Sequence, residues 1–182
     1  MGSPEPVEEP SSYASYRVTV GRSVVALRYH VIDEHGDELF QVAGNESARI
    51  PNRLGPFRLY DAAGAPLAAL RVEEAFYVPS METYALARGD VPAGNLERRP
   101  RQVRFVTAEG EAVLVRRTRL SRGFSVTRGR ARLGSLRRRR GVWERNYDLQ
   151  LRREIDPIPL VFAVVLIDQA RTSQGGNALG GV

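Results

Sequence analysis

A chain of 182 residues carries 27 basic and 21 acidic side chains, a net charge of +6, and no cysteine. One domain with a sizeable core is expected at this length, and the lack of cysteine excludes disulfides, thiol nucleophiles and thiolate metal sites together. The basic residues are all arginine and are placed unevenly. Residues 1–97 hold 8 Arg against 14 acids, residues 98–140 hold 15 Arg against 2 Glu, and residues 141–182 hold 4 Arg against 5 acids.

Met1 to Ser12 is acidic, polar and Pro-rich, so it is expected to be a disordered tail with no signal peptide, and a cytoplasmic location follows as the default. From Tyr16 the pattern becomes that of half-buried strands. Tyr16-Arg-Val18-Thr-Val20 alternates apolar and polar, and Tyr29-His-Val-Ile-Asp33-Glu-His-Gly36-Asp-Glu-Leu39 joins two such runs through a turn. The arrangement returns as Phe57-Arg-Leu-Tyr-Asp61-Ala-Ala-Gly64-Ala-Pro-Leu67 and, more weakly, as Val103-Arg-Phe-Val-Thr107-Ala-Glu-Gly110-Glu-Ala-Val113. Asp or Thr can bond the turn backbone, and Gly can take the positive φ that closes it, so each copy predicts an antiparallel hairpin. The copies are unevenly spaced, which fits a meander better than a solenoid.

Pro92 to Pro100 reads as a loop between two halves of the domain. Phe124-Ser-Val126 and Tyr147-Asp-Leu149-Gln-Leu151 supply further strands, and the broken parity between Leu133 and Leu136 across Gly134 predicts a bulge. So many half-buried strands point to a sandwich or barrel. The exception is Asp156-Pro157-Ile-Pro159 followed by an apolar run to Ile167, Asp168 and Ala170. Two early prolines disfavour a central strand, whereas Asp at an N-cap with Pro at the first helical position favours a helix. About fourteen residues at roughly 1.5 Å each fall short of the ~30 Å hydrocarbon core, so this is expected to be a core helix and not a membrane span. Thr172 to Val182 is expected to be a flexible Gly-rich tail, leaving 13–171 as the domain.

The hairpin at Tyr29 to Val42, its echo at Phe57 to Leu70, then Trp143, Tyr147-Asp-Leu149-Gln-Leu151, Asp156 and the helix ending Leu166-Ile167-Asp168 occur in an order that resembles the LURP-one-related proteins. These belong with tubby C-terminal domains and phospholipid scramblases in one superfamily. The resemblance spans about Tyr16 to Ala170 and implies a closed antiparallel β-barrel of about twelve strands enclosing a central apolar C-terminal α-helix. It also implies a non-catalytic domain that meets phospholipid or phosphoinositide headgroups through basic residues. The stretch Asp148 to Asp156 departs from the acidic calcium-binding stretch of scramblases, because Arg152 and Arg153 interrupt it.

The arginine block supplies the candidate ligand-binding residues, an anion or phosphate site at Arg116, Arg117, Arg119, Arg130, Arg132, Arg137, Arg138, Arg139 and Arg140. The guanidinium fork suits phosphate oxygens, and each such charge near an anionic membrane is worth about 1 kcal/mol. Weighed against this is a solvated face of a GC-biased protein. Anionic lipid headgroups at a membrane surface are the expected partner, met peripherally. An acidic protein is the alternative, and nucleic acid ranks below both because no base-stacking aromatic stripe accompanies the arginines. No catalytic residues, metal or cofactors are expected. Asp33, His35, Asp37 and Glu38 read as a plain turn, since ligands from one tight loop seldom surround an ion. His30 and His35 lie in no nucleophile motif. Trp143 and Tyr147 read as core aromatics, and Asp168 as a structural carboxylate that must find a hydrogen-bonding partner.

Overall fold

A computed structural model describes residues 12–22, 27–44, 56–75, 81–118, 123–140 and 145–176. The expected tail 1–11, Arg119, Trp143 and residues 177–182 lie outside the described residues. Twelve strands and one helix follow in chain order: β1 (Tyr13–Arg22), β2 (Leu27–Ile32), β3 (Glu38–Ala43), β4 (Phe57–Asp61), β5 (Pro66–Ala75), β6 (Glu82–Arg88), β7 (Val91–Arg99), β8 (Gln102–Thr107), β9 (Ala112–Arg117), β10 (Gly123–Arg128), β11 (Ala131–Arg140), β12 (Arg145–Arg152) and α1 (Ile158–Gly176). Each strand pairs antiparallel with its neighbours in sequence, and β1 pairs with β12, so the meander closes into a barrel with no free edge.

The three Gly-closed turns form as the pattern dictates. Gly36, Gly64 and Gly110 have φ of 94°, 84° and 86°, and the N–H of each bonds the carbonyl of Asp33, Asp61 and Thr107 in turn. The Asp33 carboxylate accepts from the N–H groups of His35 and Asp37, Asp61 accepts from Ala65, and the Thr107 hydroxyl accepts from Glu111. The turn at Asp33 is thus held by its own side chain, as the pattern of a plain turn requires.

The stretch Pro92 to Pro100 corrects the reading of a loop, because it is most of strand β7. Gly94, at φ 135°, absorbs an irregularity in the pairing with β6 that lets Pro92 sit opposite Ala87, while Asn95 to Arg99 continue as a regular ladder with β8. The close approach explains the glycine, since a Cβ there would meet the Val106 carbonyl oxygen at 2.2 Å. The expected bulge in β11 forms: Val126 pairs with Gly134 and Thr127 with Arg132, so Leu133 is the extra residue and both Leu133 and Leu136 are buried.

Inward positions on all twelve strands pack around α1. From Ile158 to Asp168 every helical residue is buried, with Val161, Phe162, Val164, Val165 and Leu166 fully so. A helix enclosed by strands on every side needs no polar face, which is why its sequence is apolar all round. Its start follows the expectation, with the Asp156 carboxylate accepting from the Ile158 N–H at 3.1 Å. Its end does not: α1 runs on to Gly176, past Thr172, because Gln169, Ala170 and Arg171 continue a helix readily. No helix among the described residues is long and apolar enough to cross a membrane.

Strand direction defines two mouths. The helix enters where β12 ends, at the mouth formed by the Asp33, Asp61 and Thr107 turns, and it leaves at the mouth where β12 begins.

Candidate functional site

The polarity of the strands divides the arginine block. Arg116 and Arg117 end β9 at the exit mouth, Arg137 to Arg139 end β11 beside them, and Gly123 of the intervening β10 pairs with Arg137. All five of these side chains are exposed. Arg130 and Arg132 lie in the turn and first residues of β11, at the entry mouth. Arg132 and Arg137 are five strand steps apart, about 17 Å at ~3.3 Å each. Arg119 and the side chain of Arg140 lie outside the described residues. One end therefore gathers Arg116, Arg117, Arg137, Arg138 and Arg139, and the other keeps Arg130 and Arg132.

Ion pairing narrows the group further. Arg139 bonds Asp148 at 2.5 Å on the outer face, where Arg17 also approaches the same carboxylate at 3.8 Å. Arg98 bonds Glu82 at 2.7 Å, and Arg99 and Arg104 both reach Glu97 at 3.5 Å. Arg101, Arg116, Arg117, Arg137 and Arg138 at the exit mouth, like Arg130 and Arg132 at the entry mouth, have no acidic partner among the described residues. Arg101 belongs to the sequence block but was not singled out there, and only the pairings of its neighbours distinguish it. It lies in the tight turn between β7 and β8, which Arg99 and Gln102 close.

Arg101, Gln102, Arg116, Arg117 and Ser125 line a cleft of about 650 Å³ at the exit mouth. The Arg117 N–H bonds the Arg101 carbonyl at 2.9 Å, which ties the β7–β8 turn to the end of β9 and fixes the two sources of arginine relative to each other. A second groove of about 410 Å³ crosses β11, β12 and β1 and includes Arg137, Arg139, Asp148 and Arg17. Arg17 and Arg139 share Asp148 there, so the charge of this groove is partly neutralised locally.

Beneath the exposed arginines, the exit mouth holds one buried and one partly buried polar knot that sequence reasoning did not assemble. Asp168, with no exposed surface, accepts from Tyr147 Oη at 2.8 Å, Tyr29 Oη at 3.2 Å and Arg145 at 3.1 Å, and Gln169 donates to Tyr29 Oη at 2.9 Å. The carboxylate expected to need a partner thus meets donors from β2 and β12. In the second knot Glu82 takes the Arg98 guanidinium and the Tyr84 hydroxyl. Burial pushes the Tyr29 and Tyr84 hydroxyls far above the ordinary phenol range, and the adjoining carboxylates of Asp168 and Glu82 add to the effect.

His30 sits on the outer face against Glu38 at 2.9 Å, and His35 is exposed in its turn. Tyr147 is a core aromatic, as expected. The helix occupies the lumen, so the clefts lie on the outer surface and at the rim. No family model matches the chain, and no curated protein or solved structure gives a match.

Proposed function

We propose that this barrel is a non-catalytic domain that binds anionic phosphate headgroups at a membrane surface, as a LURP-one-related or tubby-like domain would. The observation that carries the reading is the convergence of Arg101, Arg116, Arg117, Arg137 and Arg138 at one mouth, all without acidic partners among the described residues, while most arginines elsewhere are paired. Unpaired guanidinium groups keep their donors available for phosphate oxygens, and clustering them at one end gives the molecule a face to present. Peripheral contact by this face needs no spanning segment. An acidic protein partner is the alternative occupant of the same surface.

Co-sedimentation tests it, with neutral phosphatidylcholine vesicles and with vesicles containing phosphatidylserine or a phosphoinositide, at low and physiological salt. Headgroup-dependent recruitment that survives physiological salt is expected. Arg116→Gln with Arg117→Gln should weaken it roughly thirtyfold, at about 1 kcal/mol per charge, whereas Arg130→Gln with Arg132→Gln removes the same charge from the other mouth and should change it far less. Equal losses from the two pairs would reduce the effect to net charge. No recruitment at either salt would sink the lipid reading and favour the acidic protein partner.

A further inference from the structure

We infer that the cleft at the β7–β8 turn is a discrete site for one phosphate monoester dianion, with Arg101, Arg116 and Arg117 as its cations. The inference rests on the headgroup reading above but assigns it a place and a chemical preference. Three arguments lead to it.

The first is charge. Three guanidinium groups line the cleft with no acid among the lining residues, and the nearest carboxylate on the neighbouring strands, Glu97, is engaged by Arg99 and Arg104. A site with three cations unneutralised among the described residues favours a doubly charged anion over a singly charged one, so a terminal monoester should outcompete a diester. The second is geometry. Arg116 points outward from the β9 ladder opposite Gln102, Arg117 lies at the rim, and the bond from the Arg117 N–H to the Arg101 carbonyl holds the two hairpin ends together. Cations from two segments therefore converge on one space instead of lying along one strand.

The third is the backbone. Arg101 has φ 70° and is the only non-glycine residue with positive φ among the described residues. Pro100 before it and the pairing of Arg99 with Gln102 give the pattern of a type II turn, whose third position favours glycine. Glycine holds the positive-φ positions of the other turns among the described residues. Here the chain holds an arginine in a left-handed conformation that glycine would adopt without strain, and the cleft gives that arginine an occupation.

The test uses the full chain and a soluble monoester, glycerol 3-phosphate, against a soluble diester, dimethyl phosphate, followed by amide chemical shifts. Saturable shifts at Arg101, Gln102 and Arg117 with the monoester, at least fivefold weaker with the diester, are expected. The preference should fade as pH falls through about 6, where a monoester takes up its second proton. Arg101→Gly should lose at least fivefold in monoester affinity while its unfolding midpoint stays at or above that of the parent chain. A merely structural Arg101 would leave binding unchanged on this substitution. Equal affinity for monoester and diester, or an Arg101→Gly variant that binds normally, would overturn the site. Vesicles of phosphatidic acid, a monoester, and phosphatidylglycerol, a diester, separate the two claims. Recruitment to both lipids alike, unaffected by Arg101→Gly, would sink this site and leave the membrane reading standing. Saturable monoester binding lost in Arg101→Gly, without recruitment to either vesicle, would uphold the site for a free phosphate compound and remove the membrane.

Discussion

At the entry mouth four arginines meet acids across the turns, Arg88 with Asp156, Arg128 with Glu111, Arg152 with Glu154 and Arg153 with Glu34, while Arg130 and Arg132 have no acidic partner among the described residues. At the exit mouth Glu82, Glu97 and Asp168 are taken up by Arg98, Arg99, Arg104 and Arg145, and Arg101, Arg116, Arg117, Arg137 and Arg138 remain exposed without acidic partners among the described residues. The two ends thus divide the work of charge. Exposed pairs at the entry mouth neutralise each other and contribute little to stability. At the exit mouth buried Asp168 ties the helix to β2 and β12, and the excess cations at the rim project a field outward. A single net charge of +6 describes neither end.

The comparison is tested most strongly at Asp168. Replacing it with alanine removes the carboxylate that Arg145, only 17% exposed, and the hydroxyls of Tyr29 and Tyr147 all bond. Breaking a buried pair in this way costs about 3–5 kcal/mol, read as a shift in the urea midpoint. The double variant Asp168→Ala, Arg145→Ala measures the coupling of the pair, and its cost should fall short of the sum of the two single costs. Arg88→Ala at the entry mouth breaks an ion pair that is close to half exposed on both sides, and should cost no more than about 1 kcal/mol. Equal costs at the two sites would erase the distinction between the mouths.

The pH dependence comes next in size, and its largest shifts lie at the exit mouth. Tyr29 and Tyr84 have their folded pKa values raised, by burial first and by Asp168 and Glu82 second. A raised pKa means that the folded state keeps protons the unfolded chain releases above about pH 10. Their contribution is fully present below that pH and is lost as pH rises through the folded values, at about 1.4 kcal/mol per pH unit for each tyrosine. Alkaline unfolding should therefore be steep, and Tyr29→Phe or Tyr84→Phe should each flatten the slope by one proton. A slope unchanged in both variants would show that neither knot governs the alkaline limb.

Much of this architecture could be read from the residues, and the exceptions have physical causes. The three turns closed by Gly36, Gly64 and Gly110 were legible because a side-chain acceptor and a glycine stand at fixed spacing, and the helix because two prolines and an all-round apolar run admit little else. Strand β7 was not legible: two prolines and a glycine mimic a loop, and the pairing that overrides them comes from β6 and β8, which lie on either side of it in the barrel. For the site, the charge block was visible at once, but which arginines remain unpaired depends on strand register. Arg99 and Arg101 look alike in sequence, yet Glu97 reaches only the first. The knots around Asp168 and Glu82 join residues up to 140 positions apart, or, for Glu82 and Arg98, facing positions on paired strands, and no local pattern reports such meetings.

The smallest effect tests whether the entry mouth is as modular as its exposed pairs suggest. Asp61 accepts from the Ala65 N–H at 2.8 Å, and two backbone bonds, Asp61 N–H to Ala65 O and Gly64 N–H to Asp61 O, hold the same turn. Asp61→Ala removes one bond of the three and should cost about 1 kcal/mol, the net worth of a single exposed hydrogen bond in a turn. Asp61→Asn keeps the acceptor and should recover most of it, because the bond needs an oxygen and not a charge. In the matching turn the Thr107 hydroxyl accepts from Glu111 at a longer 3.2 Å, so Thr107→Ala should cost less than Asp61→Ala. Urea midpoints in that order would show turns closed independently by local bonds. A loss at Asp61 comparable to that at Asp168 would mean that the entry mouth is held as cooperatively as the exit, and the contrast between the two ends would then rest on charge alone.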